Sequence, residues 1–278
     1  MSLLRAPLAA VLLATLAGCA AGSSSGTLAR LPSGAKHVAL GSSFAAGTGM
    51  GGIKPGTPQR CGRSPINYAT LVSQELGLTL DDQTCGGATT THVTGPWSEL
   101  PAQVDAVDAD TRLVTITIGG NDLGFVRNLC IAGCQPNGAR TCPPMTAPTP
   151  ADISRVEQGL SAIAQEVARR APRARLVFVQ YVTLVPKEPC AALRLSPEAV
   201  PVLHQIAREL AAATAHVAAR HGAEVIRADA LSRSHTACDA DPWSTGPDPL
   251  GPEGNSPWHP TAAGHRGIAS EIARLLRR

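Results

Sequence analysis

Short apolar, β-branched runs alternate with helix-period segments along most of this chain, and that alternation restricts the fold more than any other feature. Lys36-His37-Val38-Ala39-Leu40 reads as a strand that stops at Gly41. A loop rich in Gly and Pro leads to a helix with Ser64 as its cap, Pro65 in its first turn and Gly77 at its C-terminal end. A short strand then runs up to Cys85. The clearest strand is Leu113 to Ile118, bounded by Gly119-Gly120. Thr149-Pro150-Ala151-Asp152 opens a helix in which Ile153, Val156, Leu160, Ile163 and Val167 recur at helical spacing. Arg175 to Tyr181 is a strand. Ser196-Pro197-Glu198 opens another helix, with Val202, Leu203, Ile206 and Leu210 on one face. Glu224 to Arg227 is a last short strand, and Thr261 caps a final helix with Ile268, Ile272 and Leu275 as its apolar stripe. Strand-then-helix order calls for a parallel sheet with helices on both faces. Aromatic residues make up only 3% of the chain, so the core must be built from Ala, Val, Leu and Ile. Two irregular stretches, Asn128 to Thr149 and Cys238 to Pro260, are long for connections within a compact domain and are expected to be functional.

In an open parallel sheet, ligands bind beyond the carboxyl ends of the strands. Three polar clusters fall there: Gly41-Ser42-Ser43-Phe44-Ala45-Ala46-Gly47, Cys85-Gly86-Gly87-Ala88-Thr89 and Gly119-Gly120-Asn121-Asp122. A fourth, Trp258-His259-Pro260, stands just before the last helix. Each block alone is an ordinary turn; the four together, in this order and at these places, are not. The order Ser, Gly, Asn, His resembles the SGNH/GDSL hydrolases from about Val38 to the C-terminus, and the wording around Ser43, with Cys61 and Cys85 flanking, is most similar to actinobacterial secreted esterases and lipases.

That resemblance implies a flavodoxin-like three-layer α/β/α sandwich with a parallel sheet, the SGNH hydrolase fold, and a carboxylic ester hydrolase that needs no cofactor or metal. Ser43 would be the nucleophile and His259 its base. The N–H groups of Ser43 and Gly87 and the side-chain amide of Asn121 would form the oxyanion hole. Two departures stand out. Ser42 occupies the acidic position of the Gly-Asp-Ser motif. The last block usually reads Asp-x-x-His, but Ser256 precedes His259 by three residues. The expectation is therefore a Ser-His dyad in which the backbone carbonyl of Ser256 orients His259 Nδ1. Glu253, Asp248 or Asp241 would be the carboxylate alternatives. His265, His204, His216 and Asp122 are read as structural, and Trp258 either as a pocket wall or as core. A glycan O-acetyl esterase and a non-catalytic lipid-binding lipoprotein are the rival readings.

The N-terminus reads as a signal. Arg5 precedes the apolar run Ala6 to Ala17, too short to span a bilayer, and Leu16-Ala17-Gly18-Cys19 is similar to a bacterial lipobox. Residues 1–18 are expected to be a lipoprotein signal peptide, 19–34 a flexible tether holding Cys19 as the lipidated residue, and 35–278 one hydrolase domain. Location would be extracytoplasmic, lipid-anchored to the cell membrane or secreted. Eight cysteines fit an oxidising compartment. No Cys-x-x-Cys pair occurs, so a zinc site is not expected. Setting Cys19 aside, short loops suggest Cys61 with Cys85 and either Cys130 or Cys134 with Cys142, leaving Cys190 with Cys238. Three disulfides are also what the resemblance implies. A net charge of +3, with scattered basic residues and few aromatics, does not suggest a nucleic-acid surface. The expected partners are an ester substrate and, through the anchor, a membrane, with the protein acting as a monomer.

Overall fold

The computed structural model of the protein describes residues 30–134, 136, 138–248 and 256–278. The signal segment, Cys19 and most of the tether lie outside the described residues, as does Glu253. Five strands form one sheet: β1 (Lys36–Gly41), β2 (Thr79–Asp82), β3 (Thr111–Thr117), β4 (Arg175–Val179) and β5 (Glu224–Ile226). All neighbours are parallel, in the order β2-β1-β3-β4-β5. Among the described residues the α-helices are α1 (Ser43–Ala46), α2 (Tyr68–Leu76), α3 (Thr90–Thr94), α4 (Phe125–Ala132), α5 (Pro150–Arg170), α6 (Val200–Arg220), α7 (Ala228–Leu231) and α8 (Ala262–Leu276).

Handedness accounts for the layers. The step from β1 to β2 runs one way across the sheet and the later steps run the other way. Right-handed crossovers therefore put α2 on one face and α3 to α6 on the opposite one. The packing agrees: α8 lies against α2, while α5 packs on α3 and α6. The central strands β1 and β3 are buried along nearly their whole length, as expected of strands covered on both sides.

Local chemistry sets the element ends. Thr149 and Asp152 form a capping box at the start of α5, and Thr261 Oγ1 accepts from Gly264 N (3.1 Å) at the start of α8. Gly77 ends α2 in the left-handed region at φ +65°. Three expectations shift. The cap of α2 is Asn67, whose Oδ1 accepts from Thr70 N (2.9 Å), whereas Ser64 Oγ accepts from Ile66 N within the preceding turn. Helix α6 begins at Val200, a few residues after Ser196-Pro197-Glu198. Asn128 belongs to α4 rather than to a loop. Phe125, Leu129 and Ala132 bury one side of that helix, and Asn128 pins the following segment through both backbone groups of Thr146 (2.9 and 3.1 Å).

The disulfides are Cys61–Cys85, Cys134–Cys142 and Cys190–Cys238. Of the two candidates for Cys142, Cys134 is the partner, and Cys130, expected as bridged in one reading, is an exposed free thiol among the described residues. Cys130 faces outward on α4. Cys134 lies beyond the helix end at Gly133, where the chain turns back and the Cα atoms of Cys134 and Cys142 stand 5.9 Å apart.

Candidate active site

The pairing register brings the first and third clusters side by side. Gly41, the last residue of β1, lies opposite Thr117, the last of β3, so Ser42-Ser43 and Gly119-Gly120-Asn121 leave the sheet at the same level. Gly41 has φ +128°, and a Cβ there would stand 2.4 Å from the Thr117 carbonyl oxygen; only glycine permits the close approach. Its backbone is gripped from outside the sheet by Gln103, whose Oε1 accepts from Gly41 N (2.7 Å) and whose Nε2 donates to Gly41 O (3.1 Å). At Gly120 a Cβ would fall 2.6 Å from the Tyr181 ring. The Tyr181 hydroxyl accepts from Gly120 N (2.9 Å) and lies 3.2 Å from Ser42 Oγ, so one buried tyrosine joins the two turns. Burial pushes its pKa up to about 12, which keeps it neutral. Where the Gly-Asp-Ser motif has an acid, this chain places a serine facing that hydroxyl.

The second cluster is tied to the third. Asn121 Nδ2 donates to Ala88 O (2.8 Å), and the Asp122 carboxylate accepts from Thr90 N and Thr90 Oγ1. Gly87 sits at φ +83° beside the Trp97 ring. Its N–H has no acceptor among the described residues. Ser43 is the first residue of α1, so its N–H has no carbonyl one turn back to bind. Asn121 has a second amide hydrogen beyond the one given to Ala88.

His259 completes the constellation. Its Nε2 lies 2.8 Å from Ser43 Oγ, and its Nδ1 lies 2.7 Å from the carbonyl oxygen of Pro257. A carbonyl only accepts, so the hydrogen resides on Nδ1 and Nε2 offers its lone pair to the serine hydroxyl. The ring is buried against Phe44, with centroids 4.9 Å apart. Burial lowers the His259 pKa, and the Pro257 carbonyl offsets part of that effect. The orienting carbonyl is thus a backbone one, as expected, but it is that of Pro257 and not of Ser256. The Ser256 carbonyl is engaged by Thr245 Oγ1 (2.9 Å). Trp258, at φ +59°, turns the chain so that the Pro257 carbonyl, two residues before His259, meets the ring. Asp248 is exposed and pairs with Arg194 (2.7 Å), and the Asp241 carboxylate is exposed beside His235, whose Nδ1 bonds the Asp241 backbone carbonyl (2.9 Å); neither carboxylate bonds His259.

The residues read as structural take such places. His265 Nδ1 accepts from Tyr68 N (2.9 Å) inside the core, His216 pairs with Glu157 on the surface, and His204 bonds the Pro186 carbonyl. Trp258 is buried in the core rather than lining a pocket. Gln103, Tyr181 and Thr245 escaped the sequence reading. Tyr181 alone left a signal, as one of only two tyrosines, standing at a strand's end. Among the described residues, no three His, Cys, Asp or Glu side chains are grouped to hold a metal ion.

A doubly wound parallel sheet carrying a serine hydroxyl, a histidine and free N–H donors at one edge defines an ester hydrolase of the SGNH kind. The chain belongs to the GDSL-like lipase/acylhydrolase family, whose model matches residues 39–266, and it is a carboxylic ester hydrolase. It is 32% identical over 254 residues to Lipase 2 of Streptomyces coelicolor, covering 86% of this chain and 85% of that one. Among solved structures, phospholipase A1 from Streptomyces albidoflavus NA297 superposes with a TM-score of 0.70 at 25% identity, over 88% of this chain and 99% of that one. The extracellular lipase of Streptomyces rimosus gives 0.67 at 26% identity, over 87% and 98%.

Proposed function

We propose that this enzyme cleaves acyl esters with Ser43 as nucleophile and His259 as general base, a dyad steadied by the Pro257 carbonyl. The single observation that carries the reading is the 2.8 Å contact between His259 Nε2 and Ser43 Oγ, with Nδ1 occupied by a backbone acceptor. The serine hydroxyl attacks the ester carbonyl as its proton passes to Nε2. The resulting oxyanion accepts from Ser43 N, Gly87 N and the free amide hydrogen of Asn121 Nδ2. His259 then returns the proton to the leaving alcohol, and water repeats the cycle on the acyl-enzyme. The carbonyl of Pro257 keeps the ring in the productive tautomer and stabilises the imidazolium, the two tasks a triad carboxylate performs.

The substrates are lipid or envelope acyl esters, encountered outside the cytoplasm by a protein tethered through Cys19 or released. Three disulfides suit an oxidising compartment. One structural relative is an extracellular lipase and another a phospholipase A1. Ser43, Gly87, Asn121 and His259 all come from one chain, so a monomer would carry a complete site. Rates on p-nitrophenyl esters of increasing length test the substrate class. Activity that persists or rises from butyrate to longer acyl chains is expected. A steep fall beyond acetate would transfer the enzyme to acetylated glycans. Partition of the expressed full chain into a detergent phase, abolished by Cys19→Ala, tests the anchor.

A further inference from the structure

The segment that carries His259 is strapped, antiparallel, onto residues 243–246. Thr261 N donates to Trp243 O (2.9 Å), Thr245 N to His259 O (2.9 Å), and Trp258 N to Gly246 O (2.9 Å). Thr245 adds a side-chain knot. Its Oγ1 accepts from His259 N (3.0 Å) and donates to Ser256 O (2.9 Å); the His259 carbonyl is further off, at 3.2 Å. One hydroxyl thus closes both ends of the arc from Ser256 to His259, and the arc's inner carbonyl, that of Pro257, faces the imidazole. The arc needs holding. Trp258 within it occupies the left-handed region at φ +59°, where a bulky side chain costs on the order of 1–3 kcal/mol. Thr245 is fully buried and makes no hydrogen bond to the imidazole or to Ser43.

We propose that Thr245 is a positioning residue: its hydroxyl holds the Pro257 carbonyl in line with His259 Nδ1, and so does through the backbone what a carboxylate would do directly. The proposal rests on the Ser43–His259 reading above. Loss of the hydroxyl leaves the nucleophile, the base and the oxyanion donors in place but lets the orienting acceptor drift. Two consequences follow. The chemical step slows while substrate binding is little changed. The imidazolium loses a hydrogen-bond acceptor, so the apparent pKa on the acid side of the rate profile moves further down. His265, whose pKa is lowered to about 3 by burial and by the nearby His259, stays neutral over that range.

The test is steady-state hydrolysis of p-nitrophenyl butyrate from pH 4.5 to 8.5 by wild type, Thr245→Val and Thr245→Ser, with active enzyme counted by phosphonate titration. For Thr245→Val the expected result is a kcat reduced about 10–100-fold, the range for a misplaced catalytic group, with KM little changed and the acid limb displaced downward. Thr245→Ser restores both rate and limb. Should the valine variant fail to fold, Thr245→Ala gives the same comparison. An unchanged kcat and acid limb in Thr245→Val, or a serine variant as impaired as the valine one, overturns the proposal. Ser43→Ala is run alongside: full activity in that variant would remove the nucleophile reading itself, an outcome distinct from failure at Thr245.

Discussion

A neutral imidazole is the first requirement of the dyad, and burial supplies it. The His259 pKa lies below its ordinary value of 6.5 because the charged form loses solvent, so the ring is a free base at neutral pH. Activity requires that base, so kcat/KM is expected to stay flat through pH 7 and to fall only as the pH drops through a value under 6.5. A pH–rate profile whose acid limb lies above 7 would contradict this. At the oxyanion, Asn121→Ala removes one donor of three and is expected to lower kcat roughly 10²–10³-fold while leaving Ser43 reactive. These groups were legible because each is a side chain or glycine in a short block whose order carries the information. The carbonyl of Pro257 was not: a backbone acceptor leaves no residue type behind, and which carbonyl meets the ring depends on the left-handed turn at Trp258.

Elements place those residues, and the ends of β1 and β3 do most of the placing. Gly41→Ala would force a Cβ to 2.4 Å from the Thr117 carbonyl at a φ that L-residues avoid. Overpacking and backbone strain together predict a loss of roughly 2–5 kcal/mol, read as a fall in the midpoint of urea unfolding. Hydrolysis should drop as well, because Ser43 stands two residues away. Strands and long helices were readable from period and caps: the runs at Lys36, Leu113 and Arg175, the capping box at Thr149 and the N-cap at Thr261 all sit where pattern puts them. Helix α4 was hidden because Asn128 and the cysteines that follow resemble loop chemistry, although Phe125, Leu129 and Ala132 carry helical spacing. The choice of Cys134 over Cys130 as partner of Cys142 depended on where that helix ends.

The whole molecule folds around two neutral histidines. His37 bridges Ser73 and Thr115 in the core, and His265 accepts from Tyr68 N; burial lowers both pKa values to about 3. Unfolding frees both to titrate near 6.5, so the stabilisation is complete above that pH and is lost as pH falls from 6.5 toward 3. Each contributes a slope of about 1.4 kcal/mol per pH unit over that interval. Calorimetry between pH 7.5 and 4 should show Tm falling steeply below pH 6, and less steeply in His37→Gln; a flat Tm would show that neither group is neutral in the fold. Hydrolysis itself turns on the pairing of Ser43 with His259. Its most direct test is the intact mass of the folded protein after exposure to a fluorophosphonate. The prediction is one adduct per chain, mapped to Ser43, absent in Ser43→Ala and formed far more slowly in His259→Ala. A folded wild-type protein that gains no adduct, or gains it elsewhere, would contradict the account.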